Sequence, residues 1–554
     1  MDKTAILPNG QLYDFWEKEL AANRTKRKPL DDLNYIQIPL DTFPMSVLSD
    51  NPVILECHEI LTELSTEKIV NLTGISNTDL KLQYGAPNIK ILSAYDQRYT
   101  TLARTLQTFG NELYENGYNV TVMMAMGLPL DELSSEMLSR VRAMGIQVVY
   151  YENTSTVEKY FEKAHVIVDC IFGIGFKGHP NETCSTIFTK INKSHATVVS
   201  IDIPSGLEGD GKNINESHVS ANITIAVLAL KPVHVLRPSV DKCGEIILAP
   251  LNIPERCYKE VSSSLFTVKQ EEIKSFFSKR NPQSHKGDYG TVLVLGGSYE
   301  MPNAVYFASQ AAVNSGAGLV KIAMPAASYN AVAPKTYEQI LVPLEHNKSG
   351  RISQNSIKRL EKELEKCSCV VIGCGMGVDD DTKAVTRFVI ENSGVPVILD
   401  ADGINCVKDN IDIIDSARAS VILTPHPKEM SRITGLSVDE IQSNRPMAVK
   451  NFVKSHNCTL VLKGASTLVG NSRYDDMFVN STGNPGMATG GSGDVLAGII
   501  ASFVSQGVDP FKSAIAGVNI HGLAGDTVSE KYSMMGNTPS LMLSELPTVL
   551  KKFE

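Results

Sequence analysis

From Asn88 onward the chain alternates short, wholly apolar, β-rich runs with longer helical stretches, and this alternation limits the possible folds more than any other feature. A strand that is apolar at every position buries both faces, which requires a parallel sheet covered by helices on each side. The runs NIKILSA, NVTVMMAM, QVVYYE, VIVDCIFG, TVVSIDIPSG and ITIAVLAL form a first series that closes near Pro254. A stretch richer in Ser, Lys and Glu follows. A second series then opens at Thr291 with TVLVLGG and continues through GLVKIAMP, CVVIGCGMG, PVILDADG, SVILTPHP and TLVLKGAS to helical segments near 493–505 and 511–530. The expected fold class is α/β, with two three-layer domains. An extension over 1–50 precedes a first domain over 51–256, a linker over 257–267 and a second domain over 268–554.

Composition removes several functional classes. With 43% hydrophobic and 20% charged residues, the 554-residue chain sits in the globular range. A net charge of −9 leaves no general phosphate-neutralising surface, so no nucleic-acid partner is expected. The first residues lack the basic and apolar regions of a secretory signal, and no run of 18 apolar residues occurs, so a cytoplasmic protein without a membrane span is expected. Cys367, Cys369 and Cys374 lack zinc-site spacing and read as reduced structural thiols. The basic cluster Arg24–Lys28 reads as a solvated helix end or tail.

Ligands of open parallel sheets bind at the carboxyl ends of the strands, so polar or Gly residues directly after an apolar run carry the most weight. The Gly-rich run Asn484–Asp494, NPGMATGGSGD, leads into an apolar helix whose free N–H groups can hold phosphate. Asp494 falls where that helix starts, placed to take a proton from a hydroxyl that attacks a phosphoryl group; Asp there is also a common helix cap. No Gly-Lys-Ser/Thr follows, so this is not a Walker A loop. Lys463-Gly464-Ala465-Ser466-Thr467 offers a cation, a turn and hydroxyls suited to a nucleotide's phosphate and ribose, although an ordinary turn has the same composition. His426 lies between two prolines that fix its backbone. Asp400, Asp402 and the Gly373–Gly377 loop complete the set of strand ends.

These residues resemble a known family. His285–Gly290, TVLVLGGS, Ser315–Val320, GCGMG, LDADGIN, LTPHPKEM, LKGAS and NPGMATGGSGD occur in an order similar to the ribokinase-like ADP/ATP-dependent NAD(P)H-hydrate dehydratases, over about 268–554. The upstream half resembles the Rossmann-like NAD(P)H-hydrate epimerases through Asp169–Gly178, Ser200–Gly206 and Ala229–Ser239. The resemblance implies nucleotide-driven removal of water from the hydrated nicotinamide ring of (6S)-NADHX or NADPHX. Asp494 would be the catalytic acid/base. Lys463, Gly464, Ala465, Ser466 and Thr467, with Asn484, Gly486, Gly490, Gly491 and Gly493, would hold the adenine nucleotide. Ala304, Gly375, Met376, His426 and Asp494 would contact the hydrated dinucleotide. Fused members usually use ADP, so ADP ranks ahead of ATP, accompanied by Mg²⁺, and a homo-oligomer is expected.

The upstream half departs from its family. Epimerases carry a Gly-Asn-Asn-Gly-Gly-Asp-Gly loop after the first strand, whereas NIKILSA runs here into Ser93-Ala-Tyr-Asp-Gln-Arg-Tyr99, which contains no glycine. Side chains there crowd a backbone cradle for phosphate, although Arg98 could bind a phosphate directly. The matching positions kept are Asp169 and Ser205 for potassium, Asp202 for proton transfer, and Gly173, Gly175 and Phe176 for substrate. Half a site predicts an inactive or altered epimerase. The alternative for the whole chain is a ribokinase-type small-molecule kinase with a non-catalytic N-terminal binding or scaffold domain.

Overall fold

The computed structural model describes residues 24–26, 28–30, 38, 40, 51–69, 77–94, 96–98, 104, 108, 120–127, 132–152, 155–211, 215–249 and 263–554. They fall into two compact units, 1–150 and 151–554.

In the first unit, helix Pro52–Ser65 starts at Asn51, whose side chain accepts from the amides of Val53 and Ile54. It buries Ile54, Cys57, Leu61 and Leu64, one helical face. Strands β1 (Thr121–Met124) and β2 (Gln147–Tyr150) pair in parallel around helix Glu132–Ala143. The basic cluster is partly folded: Thr25 Oγ1 and Lys28 Nζ donate to the carbonyls of Lys81 and Leu82 at the end of helix Asn77–Tyr84.

One sequence expectation fails in this unit. NIKILSA is not the first strand: a 3₁₀ turn over Ala86–Asn88 leads into helical backbone at 89–94 and 96–98. Leu92 is buried against Leu80, with Ile89 packed on the same cluster; Ile89 and Leu92 are three apart, a helical spacing. A short apolar run fits either structure, and packing against an existing helix decides between them. Arg98 does not face a phosphate cradle but pairs with Glu67 at 2.8 Å and donates to the Lys68 carbonyl. Tyr95 and Tyr99 lie outside the described residues, as does most of the linker expected over 257–267.

The second unit contains two sheets. Strands β3 (Val166–Asp169), β4 (Thr197–Ile201), β5 (Ile223–Val227) and β6 (Glu245–Ala249) are all parallel, in sequential order. The larger sheet is built from β7 (Leu265–Phe266), β8 (Thr291–Leu295), β9 (Leu319–Pro325), β10 (Ile340–Leu344), β11 (Cys369–Ile372), β12 (Val397–Leu399), β13 (Val421–Leu423), β14 (Cys458–Leu462), β15 (Leu468–Asn471) and β16 (Met477–Val479). Its order is β10-β9-β8-β11-β12-β13-β14-β15-β16-β7, parallel from β10 to β14. Alternate residues feed two cores. Leu293, Leu295, Val370, Ile372 and Leu399 pack on one face, and Val292, Val294, Val371 and Ile398 on the other. Both faces are buried, as the unbroken apolar runs require.

Chain order reverses at β8, which lies between β9 and β11. Such a switch point opens a crevice at the carboxyl ends of the strands, where ligands of open α/β sheets bind.

Candidate functional site

The loops after β8, β11, β12, β13 and β14 meet at this edge, together with the start of helix Ser492–Ser505. The loop after β11 passes very close to the loop after β12: a Cβ on Gly373 (φ +121°) would lie 2.0 Å from the Asp400 carbonyl. Only glycine allows that approach. Gly375 packs against Ala304, 2.7 Å from Ala304 Cβ to where its own would be, so two residues assigned to substrate do come together. Met376 is fully buried in the core, so its side chain is not offered to a ligand.

Asp400 is the hub of the charged groups. Its Oδ1 accepts from Lys463 Nζ at 2.8 Å and Thr424 Oγ1 at 2.7 Å, and the Cys374 thiol lies 3.9 Å from Oδ2. Ligating atoms of Cys374, Asp400 and Asp494 lie within 4.8 Å of one another. Burial, then the charge of Asp400, pushes the Asp494 carboxyl up to about 7. Burial alone would lower the Lys463 ammonium, but Asp400 and Glu429 hold it above its ordinary value. The cluster therefore contains a carboxyl that exchanges its proton near neutrality beside a permanent cation, a pairing suited to phosphoryl chemistry.

Asp494 is the third residue of its helix rather than the cap; Gly491 (φ +97°) precedes the first turn. A Cβ on Gly493 would come within 3.2 Å of Lys463 Nζ, so this glycine sets how closely helix and lysine approach. Gly490 has open space where a Cβ would project, while Gly491 abuts Phe307 and Pro539. Beneath the helix start, His521 is only partly exposed, and desolvation pushes its imidazole down to about 4; its Nε2 lies 3.2 Å from Ser492 Oγ.

His426 caps helix Pro427–Thr434: its Nδ1 accepts from the amides of Lys428 and Glu429, which leaves Nε2 as the donor nitrogen of the neutral ring. Burial, then Lys463, lowers its proton affinity. Glu429 accepts from the His426 amide and lies 3.9 Å from Lys463 Nζ.

In the Lys463–Thr467 loop, Gly464 and Ala465 are exposed, and Thr467 Oγ1 donates to the Gly464 carbonyl. Ser466 is buried and its hydroxyl is committed to the Val235 carbonyl at 2.8 Å. Asn484 and Gly486 stand apart. Asn484 donates to Asp526 and accepts from Ser529, and Gly486 packs against the Met534 carbonyl; both anchor the start of the Gly-rich run.

The smaller sheet holds the second set. Asp169, 1% exposed, accepts from Ser200 Oγ and the Ser205 amide on Oδ2, and from Ser205 Oγ and the Ile171 amide on Oδ1. Asp202 (φ +68°) pairs with Lys231 and is braced by His234 Nε2 on its carbonyl at 2.8 Å. Gly173 faces Asp202 Oδ2, Gly175 is open, and Phe176 stacks on Phe172 at 4.5 Å.

Sequence reasoning missed Cys374 as a neighbour of both carboxylates, as well as Glu429 and His521. The position of Cys374 inside the GCGMG strand-end loop was the available signal.

The larger sheet, with its switch-point crevice and its Asp–Lys–Asp cluster at a helix start, defines an α/β protein with a ligand crevice at the carboxyl ends of its strands. The family described as NAD(P)H-hydrate dehydratase matches residues 292–548, and that described as YjeF-related protein N-terminus matches 108–233. The bifunctional NAD(P)H-hydrate repair enzyme of Moorella thermoacetica is 33% identical over 71% of this chain and 74% of its own. That of Coxiella burnetii is 31% identical over 89% and 97%. A Bacillus subtilis ADP/ATP-dependent NAD(P)H-hydrate dehydratase structure, co-crystallized with ATP/Mg²⁺, is 28% identical over 52% of this chain and 98% of that one, with a TM-score of 0.45. This chain belongs to the bifunctional NAD(P)H-hydrate repair enzyme family. The small-molecule kinase alternative is not favoured. No helix among the described residues is long and apolar enough to cross a membrane.

Proposed function

We propose that the crevice of the larger sheet removes water from (6S)-NADHX or NADPHX at the expense of an adenine nucleotide, with ADP ranked ahead of ATP. The observation that carries this reading is Asp494, a carboxyl pushed up to about 7 beside Lys463 at a helix start. The ring hydroxyl oxygen attacks the terminal phosphorus while Asp494 Oδ takes its proton. The bond from that phosphorus to the nucleotide's bridging oxygen breaks; the ring nitrogen's lone pair then expels the phosphate from the ring carbon, and loss of a proton from the adjacent ring carbon to the departing phosphate restores the ring double bond. Lys463 balances charge on the phosphoryl oxygens, the helix-start amides around Gly493 donate to the phosphate, and the half-buried His426 ring, whose Nε2 lies 3.4 Å from Glu429 Oε1, faces the dinucleotide with the Ala304–Gly375 contact.

Direct Mg²⁺ ligation does not fit Cys374–Asp400–Asp494, because a thiol is a soft ligand and Lys463 already neutralises Asp400. Mg²⁺ would be held by the nucleotide's phosphates rather than by these residues, and would screen the phosphate charge there. Potassium does not fit Asp169 as arranged, since its two oxygens accept from four N–H and O–H donors; no step is drawn through it. The smaller sheet's site is proposed to bind the dinucleotide with weak or no epimerisation, Asp202 being tied to Lys231. The free thiols of the described cysteines suit a cytoplasmic setting, and self-association completes the proposal.

The test uses purified protein with mixed R and S NADPHX, ADP or ATP, and Mg²⁺, following recovery of reduced-nicotinamide absorbance and release of phosphate. Recovery that stops at the S fraction supports a dehydratase with a silent epimerase site. Fast, complete recovery overturns the silent half. No recovery with either nucleotide overturns the dehydratase.

A further inference from the structure

Ser466 is the buried residue of the Lys463–Thr467 loop, beside the exposed Gly464 and Ala465. It holds a left-handed backbone (φ +54°) without being glycine, a conformation that costs free energy unless its surroundings impose it. On the loop's inner side, the buried Arg445 guanidinium donates to the carbonyls of Leu462 and Lys463. On the outer side the partner comes from the other sheet's half of the chain: Ser466 Oγ donates to the Val235 carbonyl, 231 residues away in sequence.

The Val235 carbonyl is itself well fixed. Leu236, 5% exposed, packs into the same core as Leu460 and Leu462 of β14. At its other end the Lys231–Leu236 segment is tied to Asp202 through the Lys231 ammonium and the His234 ring. A short strut therefore runs from Asp202 of the smaller sheet to the loop after β14.

We propose that Val235, seated by Leu236, is a positioning element of the dehydratase nucleotide site. Its carbonyl holds Ser466 left-handed and so presents the exposed Gly464 and Ala465 to the nucleotide. The inference rests on the nucleotide reading of that loop. It gives the N-terminal half a role in dehydration that survives loss of its own catalysis, and it places the Ser466 hydroxyl outside the set of groups that touch the ligand.

The test compares Ser466→Ala, Leu236→Ala, the double variant and Leu236→Met in the full chain. A lost hydrogen bond of this kind predicts a nucleotide KM raised about five- to tenfold with kcat within about twofold. The double variant is expected to be no worse than the poorer single, because both changes remove one constraint. Leu236→Met, which refills the socket, restores the wild-type KM. Multiplying effects in the double variant, or a lower Tm with KM unmoved, would overturn the proposal. Amide hydrogen exchange at 464–467 is the second readout: faster exchange in Ser466→Ala supports positioning even if Leu236→Ala fails to fold, and unchanged exchange overturns it. Wild-type protein without nucleotide-dependent turnover would count against the dehydratase, while the exchange measurement still decides the positioning.

Discussion

The two sheets of the second unit each place aspartates at the carboxyl ends of their strands, but they satisfy them differently. On the smaller sheet Asp169 has four donors on its two oxygens, and Asp202 is closed off by a lysine and a backbone amide. On the larger sheet Lys463 and Thr424 serve one oxygen of Asp400, while Asp494 is held near neutrality by burial and by the charge of Asp400. A fully partnered carboxylate contributes stability; one crowded by another, beside a lysine already hydrogen-bonded to that neighbour, keeps a proton available for transfer. The comparison teaches that two sites with similar residue types can be separated by hydrogen-bond saturation.

The largest expected effect that tests this contrast is Asp494→Asn. Turnover falls about 10³-fold or more, measured as nucleotide-dependent recovery of reduced nicotinamide, while nucleotide binding by calorimetry changes little. Stability moves the other way. The carboxyl's folded value lies above its ordinary 3.8, so its penalty is absent below about pH 4 and grows as pH rises to about 7. The Asn variant should therefore match wild type in Tm at low pH and exceed it at about pH 8.

Gly493→Ala is next. The added Cβ, 3.2 Å from Lys463 Nζ, displaces the ammonium from the helix start, and kcat/KM drops about 10- to 100-fold. Asp169→Asn sharpens the contrast from the other side. It converts a saturated acceptor into a group with surplus donors, costs about 1–3 kcal/mol in denaturant unfolding, and leaves dehydration unchanged. The smallest effect is expected for the pH profile of Asp400→Asn. Removing that charge lowers the proton affinity of Asp494, so the limb of kcat/KM that rises through about 7 moves toward lower pH. A limb that stays in place would mean burial alone sets Asp494.

Much of this was legible in the sequence. Unbroken apolar runs such as TVLVL and CVVI announced buried parallel strands, and the helices expected near 493–505 and 511–530 form over Ser492–Ser505 and Pro510–Lys531, with a further helix, Pro539–Leu550, that the sequence reading did not mark. NIKILSA was misread because a short apolar run contains too few residues to separate strand from helix, and Leu80 on a neighbouring helix settled it. The convergence of Lys463, Gly493 and Asp494 could be read because each follows a strand or opens a helix. The roles of Ser466 and Asn484 could not, since their partners Val235, Asp526 and Ser529 are distant in sequence and nothing local announces them. Burial hid Met376 in the same way, as periodicity does not distinguish its backbone from its side chain.

His521 gives the helix that carries Asp494 a foundation with a fuse in it. Desolvation keeps its ring uncharged, and its folded value of about 4 lies below the ordinary 6.5 of histidine. Unfolded chains therefore take up that proton first, and stability drains away as pH falls from about 6.5 toward 4. Acid stress attacks from under the crevice, at the Ser492 contact, so the chain should lose its catalytic geometry before its sheets come apart.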